Sequence, residues 1–340
     1  MVVDFYSGSI MAIGLAYTLA VIGFRTSIAR AFGLVDHPGS QGHKAHKAPT
    51  PLVGGLACLP PAVFALVSAP AQGPYEGDFL TLAGATAISF LVGLFDDRRH
   101  IPALQRLIIC GAVFVAALII RPEFIVSALS LESISVRVEL GWLAIPFSAL
   151  CLLAFQNAVN MTDGRDGLVA GITLIWLAAL FSYGPHPSNF PIATLFAGLL
   201  IVFLANLRGL LFLGDAGTYG IGAFVGLTTI WIHGSGIGLY TIDVISIMLI
   251  PILDMIRLFG MRLLRGRHPF SADHDHLHHY LDQAVGWLWG RRIYFGLVAL
   301  PIILLRTGIV AGIEATFIGS VLYVAVLAFT ATKSTSVKWP

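Results

Sequence analysis

Apolar residues run along this chain in long stretches separated by short polar clusters. Eleven such stretches stand out, near residues 8–29, 51–69, 79–94, 103–120, 141–157, 167–183, 190–206, 217–233, 238–259, 292–306 and 309–330. A hydrophobic run of about 20 residues spans a bilayer as a helix, because only a helix satisfies its own backbone there. The pattern therefore predicts an all-α polytopic membrane protein of about eleven transmembrane helices, forming one integral membrane domain over residues 1–340. Residues 131–139 (LESISVRVE) alternate apolar and polar like a short strand or hairpin, while 70–78 and 184–189 are rich in turn formers. No internal repeat or low-complexity segment is apparent.

Composition agrees: 57% of residues are hydrophobic and 11% charged, against roughly a quarter charged in a soluble domain. Ten or eleven spans would take about 200 to 220 residues, which leaves short loops and no room for a soluble domain. An odd number of spans puts the termini on opposite sides. Alternating the loops then places 17 of the 20 Lys and Arg on one side and only Arg121, Arg137 and Arg306 on the other. By the positive-inside rule the rich side is cytoplasmic, with the N-terminus outside and the C-terminus inside. A net charge of +2 with no basic tail gives no reason to expect a nucleic-acid partner. Cys58, Cys110 and Cys151 fall within apolar stretches at no ligand spacing and read as core residues. The first stretch follows Asp4 rather than a basic segment, so it reads as a span and not a cleavable signal.

The acidic and histidine residues sort with the basic ones, which the positive-inside rule does not require. Nine of the eleven histidines and most aspartates fall on the cytoplasmic side, so the chemistry is expected to face the cytosol. Asp96 and Asp97 end the third stretch. Adjacent carboxylates there repel unless a cation is close, and the plain alternative is a solvated helix end paired with Arg98 and Arg99. Asn157, Asn160, Asp163 and Asp166 follow at spacings of three, with a glycine after each aspartate, so the backbone is free to turn tightly or approach a ligand. Oxygen donors of this kind suit Mg²⁺ or Mn²⁺ rather than zinc. Gly214-Asp215-Ala-Gly217-Thr218 opens the eighth stretch. Asp215 is either a cap for that helix or a metal-bound carboxylate beside a helix N-terminus whose N–H groups favour phosphate oxygens. The run His268 to His279 includes Asp273, His274, Asp275, His276, His278 and His279 behind three arginines; it reads as a transition-metal site or as a phosphate-binding loop. The first cytoplasmic loop carries His43, Lys44, His46 and Lys47, cations suited to an anionic headgroup. Together these residues describe a site where a nucleotide diphosphate meets a lipid phosphate.

Four ordered motifs carry a specific resemblance: Asp96-Asp97, Asn157-x-x-Asn160-x-x-Asp163-Gly-x-Asp166-Gly-Leu168, Gly214-Asp215-x-Gly217, and Asp273-x-x-His276-Leu277-His278-His279. In this order, over about residues 34–281, the chain resembles the polyprenyl-phosphate N-acetylhexosamine-1-phosphate transferases. Within them it is similar to the branch that starts O-antigen, enterobacterial common antigen or teichoic acid linkage synthesis. Leu253-Asp254-Met255 and Phe270-Ser271-x-Asp273 are also similar to that branch.

The resemblance implies eleven spans in a bacterial inner membrane. It implies transfer of a sugar 1-phosphate, by default N-acetylglucosamine 1-phosphate, from a UDP-N-acetylhexosamine to undecaprenyl phosphate with release of UMP. Asp215 is then the Mg²⁺ ligand (Mn²⁺ being the alternative) and Asn160 a second metal contact. Asp96 and Asp97 lie nearest the lipid phosphate, and Asp163 and Asp166 on the nucleotide side. Lys44, His46, Lys47, Asn157, His276, His278 and His279 contact substrate. The sequence departs from the family in having His43 where a basic residue precedes the lysine, two extra residues between Pro38 and Lys44, and Thr218 in place of serine. Two routes compete: direct attack by the lipid phosphate, or a phospho-aspartate. A phosphate monoester with a second pKa near ~6 is already dianionic at neutral pH, which favours direct attack. A divalent-cation or proton-coupled transporter is the reading from another class, but its carboxylates belong near mid-membrane at broken helices. A CDP-alcohol phosphotransferase fits less well, since Arg165-Asp166 follows the first Asp-Gly instead of Ala-Arg. A homodimer is compatible with the sequence and not required by it.

Overall fold

A computed structural model describes residues 5–38, 48–68, 74–131, 136–184, 186–236, 238–268 and 275–333. The described chain is mostly helical, and each predicted stretch overlaps a helix. Eight helices are long and apolar enough to cross a membrane. They are α1 (Phe5–Gly23), α4 (Glu76–Arg99), α5 (Ala103–Ile120), α6 (Ala144–Thr162), α8 (Asn189–Asn206), α10 (Thr241–Leu264), α12 (Trp287–Arg306) and α13 (Gly312–Lys333). The shorter α3 (Gly54–Ser68) and α7 (Leu168–Phe181) are apolar, and α9 (Gly214–Gly234) is buried along most of its length.

Two local differences from the predicted pattern have simple causes. The stretch at 8–29 breaks into α1 and a separate α2 (Arg25–Phe32), because Arg25 turns back to donate to the carbonyl of Ile22 at 3.1 Å and so terminates α1. A helix also follows the histidine run, α11 (Leu277–Val285), where a loop was expected. Leu277, Tyr280 and Leu281 recur at helical spacing and are all buried. The hairpin at 131–139 forms as β3 (Ala128–Leu131) paired with β4 (Val136–Glu139).

The chain divides into two compact units, residues 1–128 with 140–238, and residues 129–139 with 239–340. In the first, α4 and α9 form an antiparallel pair. At one end Trp231 Nε1 of α9 donates to the buried Asp78 carboxylate at 3.1 Å, and Phe79 lies against the same indole with ring centres 5.3 Å apart. At the other end Asp97 meets Asp215 and Ala216. A Cβ on Gly93 would come within 2.1 Å of the Asp215 carbonyl, so only glycine permits this crossing. With 24 residues α4 is about 36 Å long at 1.5 Å per residue. That exceeds the ~30 Å hydrocarbon core and carries Asp96 and Asp97 to its edge.

The arm returning from the first loop is tied to the approach to α9. Here β1 (Val35–Asp36) pairs antiparallel with β2 (Thr50–Pro51), Phe212 donates its N–H to Pro51, and Gly54 donates back to Phe212 at 2.9 Å. The second unit contains the β3–β4 hairpin and α10 to α13.

Candidate active site

In the first unit three carboxylates from two helices gather, two of them, Asp96 and Asp215, sharing one guanidinium and the third, Asp97, joining the helices. Asp96, in the last turn of α4, is buried and ion-paired with Arg106 of α5, and it also accepts the N–H of Ile101 at 2.5 Å. Arg106 reaches Asp215 as well, Nη1 to Oδ2 at 3.3 Å, and its Cζ stands 5.8 Å from the centre of the Tyr219 ring. The plain pairing of Asp96 with Arg98 and Arg99 is replaced by this one, because α5 turns back beside α4 and places the half-buried Arg106 against the buried Asp96. Arg98 and Arg99 are exposed.

Asp97 corrects the reading of the α9 N-terminus. Its Oδ1 and Oδ2 accept the N–H groups of Asp215 and Ala216 at 2.8 and 3.0 Å. The cap therefore comes from α4, more than a hundred residues away in sequence. Those two N–H groups are not free for phosphate, since the helix dipole already faces a carboxylate. Asp215 itself is not the cap. Its side chain, 33% exposed, accepts from Asn160 Nδ2 at 2.6 Å, and the same amide lies 2.9 Å from Thr218 Oγ1.

The loop after α6 supplies the remaining polar groups. Asn157 bonds back within its own helix, Nδ2 to the Leu153 carbonyl at 2.8 Å, so only Asn160 of the two amides joins the carboxylates. Gly167, with φ 77°, closes the turn into α7 and donates its N–H to Asn206 Oδ1. Asn206 in turn donates to the Leu211 carbonyl at 2.7 Å, so one side chain ties the Asp163–Asp166 loop to the segment before α9. Asp163 stands in this loop just beyond the end of α6, and Asp166 two residues before α7.

Desolvation, aided by the charges of Asp97 and Asp166, pushes the Asp163 carboxyl up to about 7. Between the usual carboxylate range and that value the folded protein holds a proton that the unfolded chain has lost. Its stability should thus fall as pH rises from about 4 to about 7 and level off above. Asp163→Asn should flatten that part of the profile, as read from thermal unfolding midpoints of the substrate-free protein in detergent. A slope unchanged by the substitution would assign the pH dependence to other groups.

The histidines lie in the second unit. His276 precedes α11, and His278 and His279 are in its first turn. His276 and His278 are stacked with ring centres 5.2 Å apart, and His278 and His279 stand at 4.3 Å. Among the described residues no three His, Cys, Asp or Glu side chains form a metal cage. Of the histidine run, Asp273 and His274 lie outside the described residues, as do Lys44, His46 and Lys47 of the first loop. Mg²⁺ keeps several waters and takes substrate phosphates, so it needs few protein ligands. The Asp215 carboxylate and the amide oxygen of the adjacent Asn160 are oxygen donors of the kind such a hard cation takes.

Arg106, Asn206 and Asp254 were not singled out as site residues from the sequence. Arg106 was visible only as one basic residue among many. Asp254 carried the clearer signal, a carboxylate inside an apolar span.

Comparison with known proteins adds the relatives. The model of Glycosyl transferase family 4 matches residues 79–233. The undecaprenyl-phosphate alpha-N-acetylglucosaminyl 1-phosphate transferase of Yersinia pestis is 30% identical over 321 residues, covering 89% of this chain and 83% of that protein. The protein of the same name from Escherichia coli (strain K12) is 29% identical over 282 residues, 79% of this chain and 74% of its own. The probable undecaprenyl-phosphate N-acetylglucosaminyl 1-phosphate transferase of Bacillus subtilis (strain 168) is 29% identical over 266 residues, 75% and 71% of the two chains.

Proposed function

Because the chain belongs to glycosyl transferase family 4, we propose that it transfers N-acetylhexosamine 1-phosphate from a UDP-sugar to undecaprenyl phosphate. GlcNAc-1-phosphate is the first choice of group, UMP is the leaving product, and the reaction is the first membrane step of cell-surface polysaccharide synthesis. The names of the relatives support the lipid acceptor and the sugar. The observation that carries the chemistry is the meeting of Asp96, Asp97 and Asp215 at the joined ends of α4 and α9, with Arg106 bridging Asp96 and Asp215. A transporter reading finds no support: these carboxylates gather at helix ends, away from mid-span.

In this reading Asp215 and the carbonyl oxygen of Asn160 hold the divalent cation, which offsets charge on the donor pyrophosphate and the departing UMP. Arg106 keeps Asp215 and Asp96 in register, and Asp97 keeps the first turn of α9 in place. Asp163 and Asp166 line the nucleotide side. Lys44, His46 and Lys47 meet the lipid phosphate, and His276, His278 and His279 the donor phosphates. The test is mass spectrometry of the lipid product after membranes are incubated with undecaprenyl phosphate, Mg²⁺ and a panel of UDP-sugars. A lipid lengthened by a hexosamine phosphate is expected, and its absence with every donor would end the proposal.

The orientation proposed from the Lys and Arg distribution places the active site in the cytosol of a bacterial cell. Arg137 and Arg208 are both exposed, Arg137 on the proposed outer side and Arg208 on the inner. Arg137→Cys should react with an impermeant thiol reagent added outside whole cells or spheroplasts, and Arg208→Cys only after lysis. Cys58 and Cys110 are buried and give little background. Labelling of Arg208→Cys from outside would reverse the topology.

A further inference from the structure

The second unit contains a buried polar network behind His276 to which the proposed transfer assigns no role. Asp254 of α10 is only 3% exposed, in the predominantly apolar middle of that helix. Arg257 Nη2 and the Tyr323 hydroxyl of α13 donate to its Oδ1 at 2.7 and 2.8 Å. His276 Nδ1 lies 3.1 Å from its Oδ2, and the Leu277 N–H stands 3.3 Å from each oxygen. Arg257 also donates to the Asp275 carbonyl at 2.5 Å, so the approach to α11 is fastened on both sides of His276.

An ionised carboxylate only accepts. Beside Oδ2, Nδ1 of His276 must therefore be the ring nitrogen that carries the proton, which leaves Nε2 as the atom where the ring gains or loses its second proton. A carboxylate behind a functional imidazole fixes tautomer and orientation in this way.

We propose that Asp254 is a positioning residue for the histidine cluster, holding His276 by Nδ1 and reserving Nε2 for a phosphoryl oxygen of the sugar nucleotide. This inference rests on the transferase reading for its ligand, although the state of the ring does not. Its imidazolium form donates Nε2–H to the phosphate while Nδ1–H stays on Asp254. The first turn of α11, which carries His278 and His279, is held by the same carboxylate through the Leu277 N–H.

Asp254→Asn tests this by an argument from donors and acceptors. The amide oxygen is claimed by Arg257 and Tyr323, which both donate, so the amide NH₂ falls opposite His276. Nδ1 must then accept, and the neutral ring moves its proton to Nε2. In ¹⁵N-histidine NMR of detergent-solubilised protein, with the His276 signal assigned by its loss in His276→Gln, the Nδ1–H form is expected in the wild type and the Nε2–H form in Asp254→Asn. Transfer should fall about 10- to 100-fold, the usual effect of losing a carboxylate behind a functional histidine. In a His276→Gln background the same substitution should cost less than about twofold. Tyr323→Phe, which keeps the ring packing, should show a smaller loss with the same dependence on His276 and takes over the cycle if Asp254→Asn does not fold.

An Asp254 or Tyr323 effect that is undiminished in His276→Gln would reduce the network to a structural tie and overturn the proposal. So would an unchanged His276 tautomer in Asp254→Asn. A wild type that transfers no sugar from any UDP donor fails the transferase reading instead, and the NMR comparison, which needs no substrate, still decides the role of Asp254 toward His276.

Discussion

Asp215→Asn is expected to abolish transfer by at least about 100-fold at every Mg²⁺ concentration, the scale of losing one preorganised electrostatic group, while the protein still inserts and folds. The substitution preserves shape and removes the charge. One amide oxygen then has to serve Asn160, Arg106 and any cation at once, where Asp215 now uses Oδ1 for Asn160 and Oδ2 for Arg106. The amide NH₂ would also face donors. Arg106 keeps its ion pair with Asp96, and Asp97 keeps the N–H groups of residues 215 and 216, so the helix ends remain joined and the loss is one of chemistry rather than fold. The measurement is initial rate across a Mg²⁺ titration, with unfolding midpoints of both proteins in detergent as the control. Near-normal turnover at saturating Mg²⁺ would remove Asp215 from the cation site. Arg106→Gln separates a purely structural role: if Asp215 matters only as a partner of Arg106, the two variants should lose the same activity and share one Mg²⁺ dependence.

The long apolar stretches made most helices legible, because the membrane requirement that a backbone satisfy itself leaves few alternatives. The amphipathic α11 was not legible, since Leu277, Tyr280 and Leu281 are interleaved with histidines that drew the eye to a loop. The break before Arg25 depends on one side chain turning back to a carbonyl, which no hydropathy window sees. In the site, residue types and order pointed to the aspartates, but the pairings were hidden. Asp97 and the N–H of Asp215 are far apart in the chain, and only the crossing at Gly93 reveals that the α9 cap comes from α4. Arg106 was hidden for the same reason. A basic residue near a helix start reads as a headgroup contact until its partner across the helix pair is known.

These pairings bear on the order of bond making, and they lead to a second large expected effect. Asp97→Asn should cut transfer by about 100-fold or more, although losing an N-cap costs only about 0.5–2 kcal/mol of stability and leaves the fold intact. The amide supplies one acceptor where α9 presents two N–H donors, so the turn that carries Asp215 must shift, and 1 Å of misplacement is enough for a loss of this size. Both oxygens of Asp97 hold N–H groups, and those of Asp96 hold Arg106 and Ile101, which stabilises each carboxylate's charge and lowers its nucleophilicity. The lipid phosphate is the better nucleophile, being dianionic at neutral pH without help from a base. Purified, delipidated enzyme given UDP-sugar and Mg²⁺ should therefore release no stoichiometric burst of UMP, either alone or with a non-reactive lipid analogue bound. UMP should appear only with undecaprenyl phosphate, in step with lipid product. A burst in either arm, with sugar-phosphate mass on a peptide containing Asp96 or Asp97, would establish the covalent route and make one of these carboxylates leave its partners before it attacks.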